Sequence, residues 1–210
     1  MALHVFWGVK GGSGVSVTAA AVAVDAATHE PTLLVDLAGD QPAVLGVDEP
    51  AGEGVLDWCA ADAVVGDALT RLEVPVRDGL SLLPSGVRST GGPDRLADLW
   101  TALAAERRTV VVDAGVSSDT PVVPVGRTLL VIRSCYLALR RASRLTRRPD
   151  GVVVVLDPGR ALDRRDVADV VGAPVLAVIG VDPSVARAVD AGVFARRVPP
   201  VLRTAVRRLW

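Results

Sequence analysis

The apolar run Leu3–Val9 leads directly into Lys10-Gly11-Gly12-Ser13-Gly14-Val15-Ser16-Val17, and a helix-forming segment follows to about Thr28. A strand that turns through three glycines into a helix constrains a chain more than any other feature here. Glycines let the backbone curl so that successive N–H groups face one point, and the N-terminus of the helix adds its dipole. Such a loop is built to hold an anion, phosphate above all. The plainer reading, a turn that only joins a strand to a helix, stays open at this stage.

The rest of the chain repeats the strand-then-helix rhythm. Strands are expected at Thr32–Leu37, Leu80–Leu83, Thr109–Asp113, Thr128–Ile132, Val152–Leu156 and Val175–Ile179. Helices are expected near Gly54–Ala63, Asp67–Leu72, Pro93–Arg107, Tyr136–Thr146, Arg164–Val171 and Pro183–Ala191, with a loop from Leu37 to Gly46. Half of the 210 residues are hydrophobic but only 3% are aromatic, so the core is built from Val, Leu and Ala. Valine runs of this kind suit strands buried on both faces. The expectation is an α/β fold, doubly wound, with a mostly parallel sheet and helices on both faces. No repeat or linker divides residues 1–197, which read as one domain. The Ser-, Pro- and Val-rich Gly115–Gly126 is the candidate mobile loop.

Lys10 is the only lysine among the 23 basic residues; all the others are arginine. Against that background, a lysine kept inside a glycine loop points to a chemical need. A compact ammonium fits a tight phosphate site where a planar guanidinium does not.

The loop resembles the deviant Walker A motif, K-G-G-x-G-K-[ST]-T, of the ParA/MinD-type P-loop ATPases, departing from it at Val15 and Val17. The resemblance extends over about residues 2–195. Segments such as GVLDWCAAD, LSLLPSG and RSCYLALRRA are similar to the actinobacterial CpaE/TadZ-like, septum-site-determining-like group. It implies the P-loop NTPase fold, ATP and Mg²⁺ as ligands, and nucleotide contacts from Lys10, Gly11, Gly12, Ser13, Gly14, Val15, Ser16 and Val17. Lys10 would reach the nucleotide of a second subunit across a homodimer, and Ser16 would hold Mg²⁺ together with Asp113, which ends the Walker B-like strand Thr109–Asp113. Asp36, at the end of Thr32–Leu37, matches the first aspartate of the family's D-x-D. The second falls on Ala38, which leaves Asp40 as the candidate to orient water.

These departures have chemical consequences. Valine at position 15 removes the lysine that grips the β- and γ-phosphates, a loss of roughly several kcal/mol at a phosphate group. Asp157-Pro158 stands where relatives place an asparagine that reads the base. The reading is therefore a spatial-positioning protein with a degenerate site: a weak or non-hydrolysing pseudo-ATPase acting as a dimerising or localising adaptor. The alternative is an active ParA/MinD-type switch ATPase for septum placement, partitioning or assembly of a pilus or secretion system. A metallocluster role like that of the nitrogenase iron protein is disfavoured, because no cysteine lies just after the Walker B-like strand.

The end of the chain, PPVLRTAVRRLW, is expected to form a basic amphipathic helix over 198–210. Val201, Leu202, Ala205, Val206, Leu209 and Trp210 share one face, opposite Arg203, Arg207 and Arg208. Such a helix docks either on the domain or on a membrane surface. The net charge of −1 argues against a generally basic nucleic-acid binder, with the Arg140–Arg148 stretch the one local candidate. Cys59 and Cys135 suit two reduced, buried thiols. With no signal peptide and no spanning run, the chain reads as cytoplasmic, with a protein partner from a positioning or secretion system.

Overall fold

A computed structural model describes residues 2–61, 68–86 and 95–210. Eight strands form one sheet: β1 (Leu3–Gly8), β2 (Thr32–Asp36), β3 (Val74–Arg77), β4 (Leu80–Leu83), β5 (Thr109–Val116), β6 (Arg127–Arg133), β7 (Gly151–Leu156) and β8 (Val175–Gly180). Their spatial order is β3-β4-β2-β5-β1-β6-β7-β8. Every neighbouring pair is parallel except β3 with β4. β1, β2, β5, β6 and β7 are buried almost throughout because both sheet faces are covered, as their valine runs foretold.

The glycine loop feeds α1 (Val15–Ala26), an alanine-rich helix buried along nearly its whole length. Small side chains allow this because α1 is enclosed on opposite sides. It packs on the sheet through Phe6, Leu34 and Val111, and it is covered by α9 (Pro200–Val206). The opposite sheet face carries α5 (Leu96–Ala104), which sets Leu99, Trp100 and Leu103 against Val5, Leu33 and Val112. Beside it, α6 (Tyr136–Ala142) and α7 (Arg164–Val171) cover Leu130, Ile132, Val152 and Val154.

Several local expectations change: β5 runs on to Val116, past the expected end at Asp113, α6 stops at Ala142, short of Thr146, and the C-terminal helix spans Pro200–Val206 within the expected 198–210. The stretch expected as loop to Gly46 contains α2 (Gln41–Leu45), which ends at Gly46 in the left-handed conformation. The strand β3, bearing Pro75, was not foreseen, because it is short and sits at the sheet edge. The expected helices at Gly54–Ala63, Asp67–Leu72 and Pro93–Arg107 narrow to α3 (Val55–Ala60), α4 (Ala68–Arg71) and α5, with 62–67 and 93–94 outside the described residues.

The segment after β5 is tethered. Asp119 accepts from the Thr146 hydroxyl, and Thr120 and Arg147 exchange hydrogen bonds of 2.6 Å each. Cys59 and Cys135 are free thiols. Among the described residues, no helix is long and apolar enough to cross a membrane. The C-terminal helix rests on the domain: Leu202, Val206 and Leu209 are buried, and the Trp210 indole donates to Asp25 Oδ2 at 3.0 Å near the end of α1.

Candidate functional site

β1 lies at the centre of the sheet, and the chain leaves it in opposite directions: through α1 to β2 beyond β5, and later from β5 across to β6. Ligands of open α/β sheets gather at the carboxyl ends of strands beside such a reversal. Here the glycine loop follows β1, Asp36 ends β2, and Asp113 stands level with it in β5, which runs on to Val116. Parallel register sets Asp36 opposite Asp113.

The loop opens on a cavity of about 580 Å³ lined by Lys10 through Val17, with Ala38, Asp40 and Gly115 on the facing wall. Gly12 and Gly14 have φ of 73° and 89°, which a residue with a Cβ adopts only at a cost. Ser13 Oγ donates to the Lys10 carbonyl at 2.8 Å and closes the turn. α1 then starts without a side-chain cap, so its first N–H groups are left for an anion. To this extent the backbone fits a phosphate chain.

The side chains fit it less well. Val15 is 6% exposed and joins the core with Phe6 and Val131, one methyl lying over Gly8. It brings no charge to the cavity. Lys10 lines the cavity, but its ammonium donates to the adjacent Gly11 carbonyl at 3.0 Å. Asp40 lines the wall, and Asp36 and Asp113 lie fully buried beneath it.

Burial raises the Asp36 pKa to about 6, even though its carboxylate accepts from the N–H groups of Ala38, Gly39 and Gln41 at 3.0, 2.7 and 3.0 Å. Burial also raises Asp113, against the help of Gln41, Ser16 and the Gly115 N–H. Ser16 Oγ donates to Asp40 Oδ2 at 3.4 Å and also faces Asp113. The fold thus brings together Ser16, Asp40 and Asp113, a hydroxyl and two carboxylates of the kind that bind a hard cation. Asp40 is two residues beyond the expected D-x-D position and still reaches the cavity, because α2 starts directly after it.

Sequence reasoning missed Gln41. Its Nε2 donates to Asp113 Oδ2 at 2.8 Å and to the Ser16 carbonyl at 3.0 Å, joining α1, α2 and β5 beneath the cavity. Gln41 Oε1 is buried without a partner among the described residues. A polar side chain between an aspartate and a proline, after an apolar strand, was the one available signal.

On the other side of the loop, Val17, Thr18, Val155, Ile179 and Leu202 line a second, mostly apolar cavity of about 350 Å³. Arg133, on its wall, pairs with Asp157 at 2.5 Å, and Arg160 approaches the same carboxylate at 3.5 Å. Asp157 is therefore neutralised by arginines. Within the Arg140–Arg148 stretch, Arg141 donates to the Val9 carbonyl at 3.1 Å, and Arg147 to Thr120 as above.

No protein-family model and no curated protein sequence matches the chain. Solved structures do. A ParA family ATPase from Chlorobium tepidum TLS superimposes with a TM-score of 0.74 at 21% identity, over 98% of this chain and 96% of that one. The septum site-determining protein MinD in complex with Mg-ADP, from Pyrococcus horikoshii OT3, gives 0.74 at 19% identity, over 100% and 94%. The Cyanothece McdA(D38A)–ATP complex gives 0.64 at 15% identity, over 97% and 92%. Together with the observed strand order, these likenesses establish that the chain has the ParA/MinD-type P-loop NTPase fold.

Proposed function

We propose that this is a spatial-positioning protein of the ParA/MinD kind, nearest to the CpaE/TadZ-like group, whose nucleotide site has become degenerate. It binds nucleotide weakly, does not turn it over at an appreciable rate, and serves as a dimerising or localising adaptor for a protein partner. The observation that carries this reading is Val15, which turns into the core over Gly8 where a phosphate-gripping cation would be needed. With Lys10 bonded back to its own loop, a triphosphate would face Asp40, Asp36 and Asp113 with little positive charge to offset them.

A second reading, an active ATP-dependent switch, draws support from the convergence of Ser16, Asp40 and Asp113. Were Mg²⁺ and ATP bound, these three residues would hold the cation and its water shell, and the N–H groups at the start of α1 would hold phosphate oxygens. Isothermal titration with ATP and Mg²⁺ separates the two readings. The adaptor reading expects no binding or a millimolar Kd, and a micromolar Kd would exclude it.

A further inference from the structure

At the end of α1 remote from the glycine loop, a cavity of about 160 Å³ is lined by Arg77, Arg196, Arg197 and Arg203, with Asp25 and Thr28 also in its wall. A helix of 12 residues is about 18 Å long, so this cavity is well separated from the site above. Its arginines come from distant parts of the chain. Arg77 ends β3, Arg196 and Arg197 lie in the turn after α8 (Pro183–Asp190), and Arg203 sits on α9. The cluster is a product of the fold in a chain whose net charge is −1, and not a solvated run along one helix.

Bringing guanidinium groups together costs Coulomb repulsion unless an anion offsets it. Inside the protein, the offset is small. Arg77 is fixed by donating to the Ala195 carbonyl at 3.0 Å. The side chains of Arg196, Arg197 and Arg203 have no hydrogen bond or ion pair among the described residues. Asp25, the one carboxylate in the wall, gives Oδ2 to the Trp210 indole.

We propose that this cavity binds the phosphate group of a phosphorylated ligand. Four arginines on the wall of one small volume offer guanidinium forks that suit the oxygens of a phosphate or pyrophosphate. The volume is too small for a whole nucleotide. Arg77 and Arg196 also line an adjoining cavity of about 380 Å³ with Gly46, Asp78 and Gly192, which gives room for the polar remainder of the ligand. That ligand is either a free phosphoester or the headgroup of an anionic lipid. The lipid case would be an electrostatic contact, because the apolar face of α9 is already occupied by the domain.

The test titrates the full-length protein with pyrophosphate at low salt, and separately sediments it with phosphatidylglycerol and with phosphatidylcholine vesicles. Binding is expected to weaken about 10- to 100-fold in Arg197→Glu/Arg203→Glu. It should persist in Lys10→Ala/Ser16→Ala, which alters only the glycine loop and the first turn of α1, at the other end of that helix. Pyrophosphate binding with this pattern supports a free phosphoester, and vesicle binding alone with this pattern supports a lipid headgroup. Arg196→Gln/Arg197→Gln replaces the first pair if thermal melting shows that it does not fold. The proposal is overturned if neither probe binds, if binding survives the arginine changes, or if only the loop variant loses it. Because the loop variant is the control, the outcome does not depend on the adaptor reading.

Discussion

The side-chain amide of Gln41 donates to Asp113 Oδ2 at 2.8 Å, both residues being fully buried below the glycine loop. Asp113 lies within β5 and Gln41 begins α2, so this one bond fastens the base of the site. The same amide reaches the Ser16 carbonyl, and the Gln41 N–H reaches Asp36. Four segments of the site therefore meet at a residue that no motif marks.

Replacing Gln41 by leucine leaves Asp113 Oδ2 and the Ser16 carbonyl short of a donor. Urea unfolding should show a loss of about 1–3 kcal/mol. Gln41→Glu places another carboxylate beside Asp113 and should be the more damaging change at pH 7.5. The gap between the two variants should narrow at pH 5.

Val15→Lys tests whether the cradle is otherwise intact. The ammonium must leave the core and turn into the cavity, vacating the space over Gly8, so a lower Tm is expected. Titration calorimetry should show ATP binding at least tenfold tighter than in the wild type. An unchanged affinity would mean that the loop backbone itself no longer accepts phosphates.

The buried Asp36 predicts a pH signature of definite sign. Between its ordinary pKa of 3.8 and about 6, the folded chain holds a proton that the unfolded chain lacks. Stability attributable to Asp36 therefore falls as pH rises through that window. Burial, aided by the charge of Arg127, acts the opposite way on His4 and lowers its pKa from 6.5 to about 4, so its contribution rises with pH between those values. Asp36→Asn should thus make stability climb more steeply from pH 4 to 6. His4→Leu should make it climb less steeply. Urea midpoints at half-unit pH steps give both slopes, and equal slopes in the two variants would contradict these assignments.

Leu209 is fully buried where the C-terminal segment meets α1. Leu209→Ala should cost about 2–5 kcal/mol, the range for emptying a core leucine site. Trp210→Ala should cost less, because that ring is partly exposed and loses mainly its bond to Asp25 and its tilted contact with His29, with centroids 5.4 Å apart. Thermal melting of the two variants orders the effects. If both melt like the wild type, the segment does not contribute to the folded domain.

The valine runs, the glycine loop and the aspartates that follow the apolar stretches of β2 and β5 were legible from the sequence, because each is a local matter. Strand burial on both faces leaves its mark residue by residue, and a tight turn into a helix requires glycine where φ is positive. The resemblance to ParA/MinD proteins rested on those same local motifs. α2 and β3 were not legible, the first being one turn long and the second a short edge strand.

Other features depend on which distant segments become neighbours. The sheet order decides that Asp36 and Asp113 face each other and that Gln41 joins them. Docking of α9 on α1 decides that an amphipathic helix lies against protein, a choice its own pattern left open. The arginine cavity forms only because β3, the turn after α8 and α9 meet at one end of α1. The turn of the glycine loop was thus written in the sequence around Gly12 and Gly14. The missing charge at Val15 was equally written there, while tertiary packing decided which carboxylates stand around the loop, because Asp36, Asp40 and Asp113 come from separate segments.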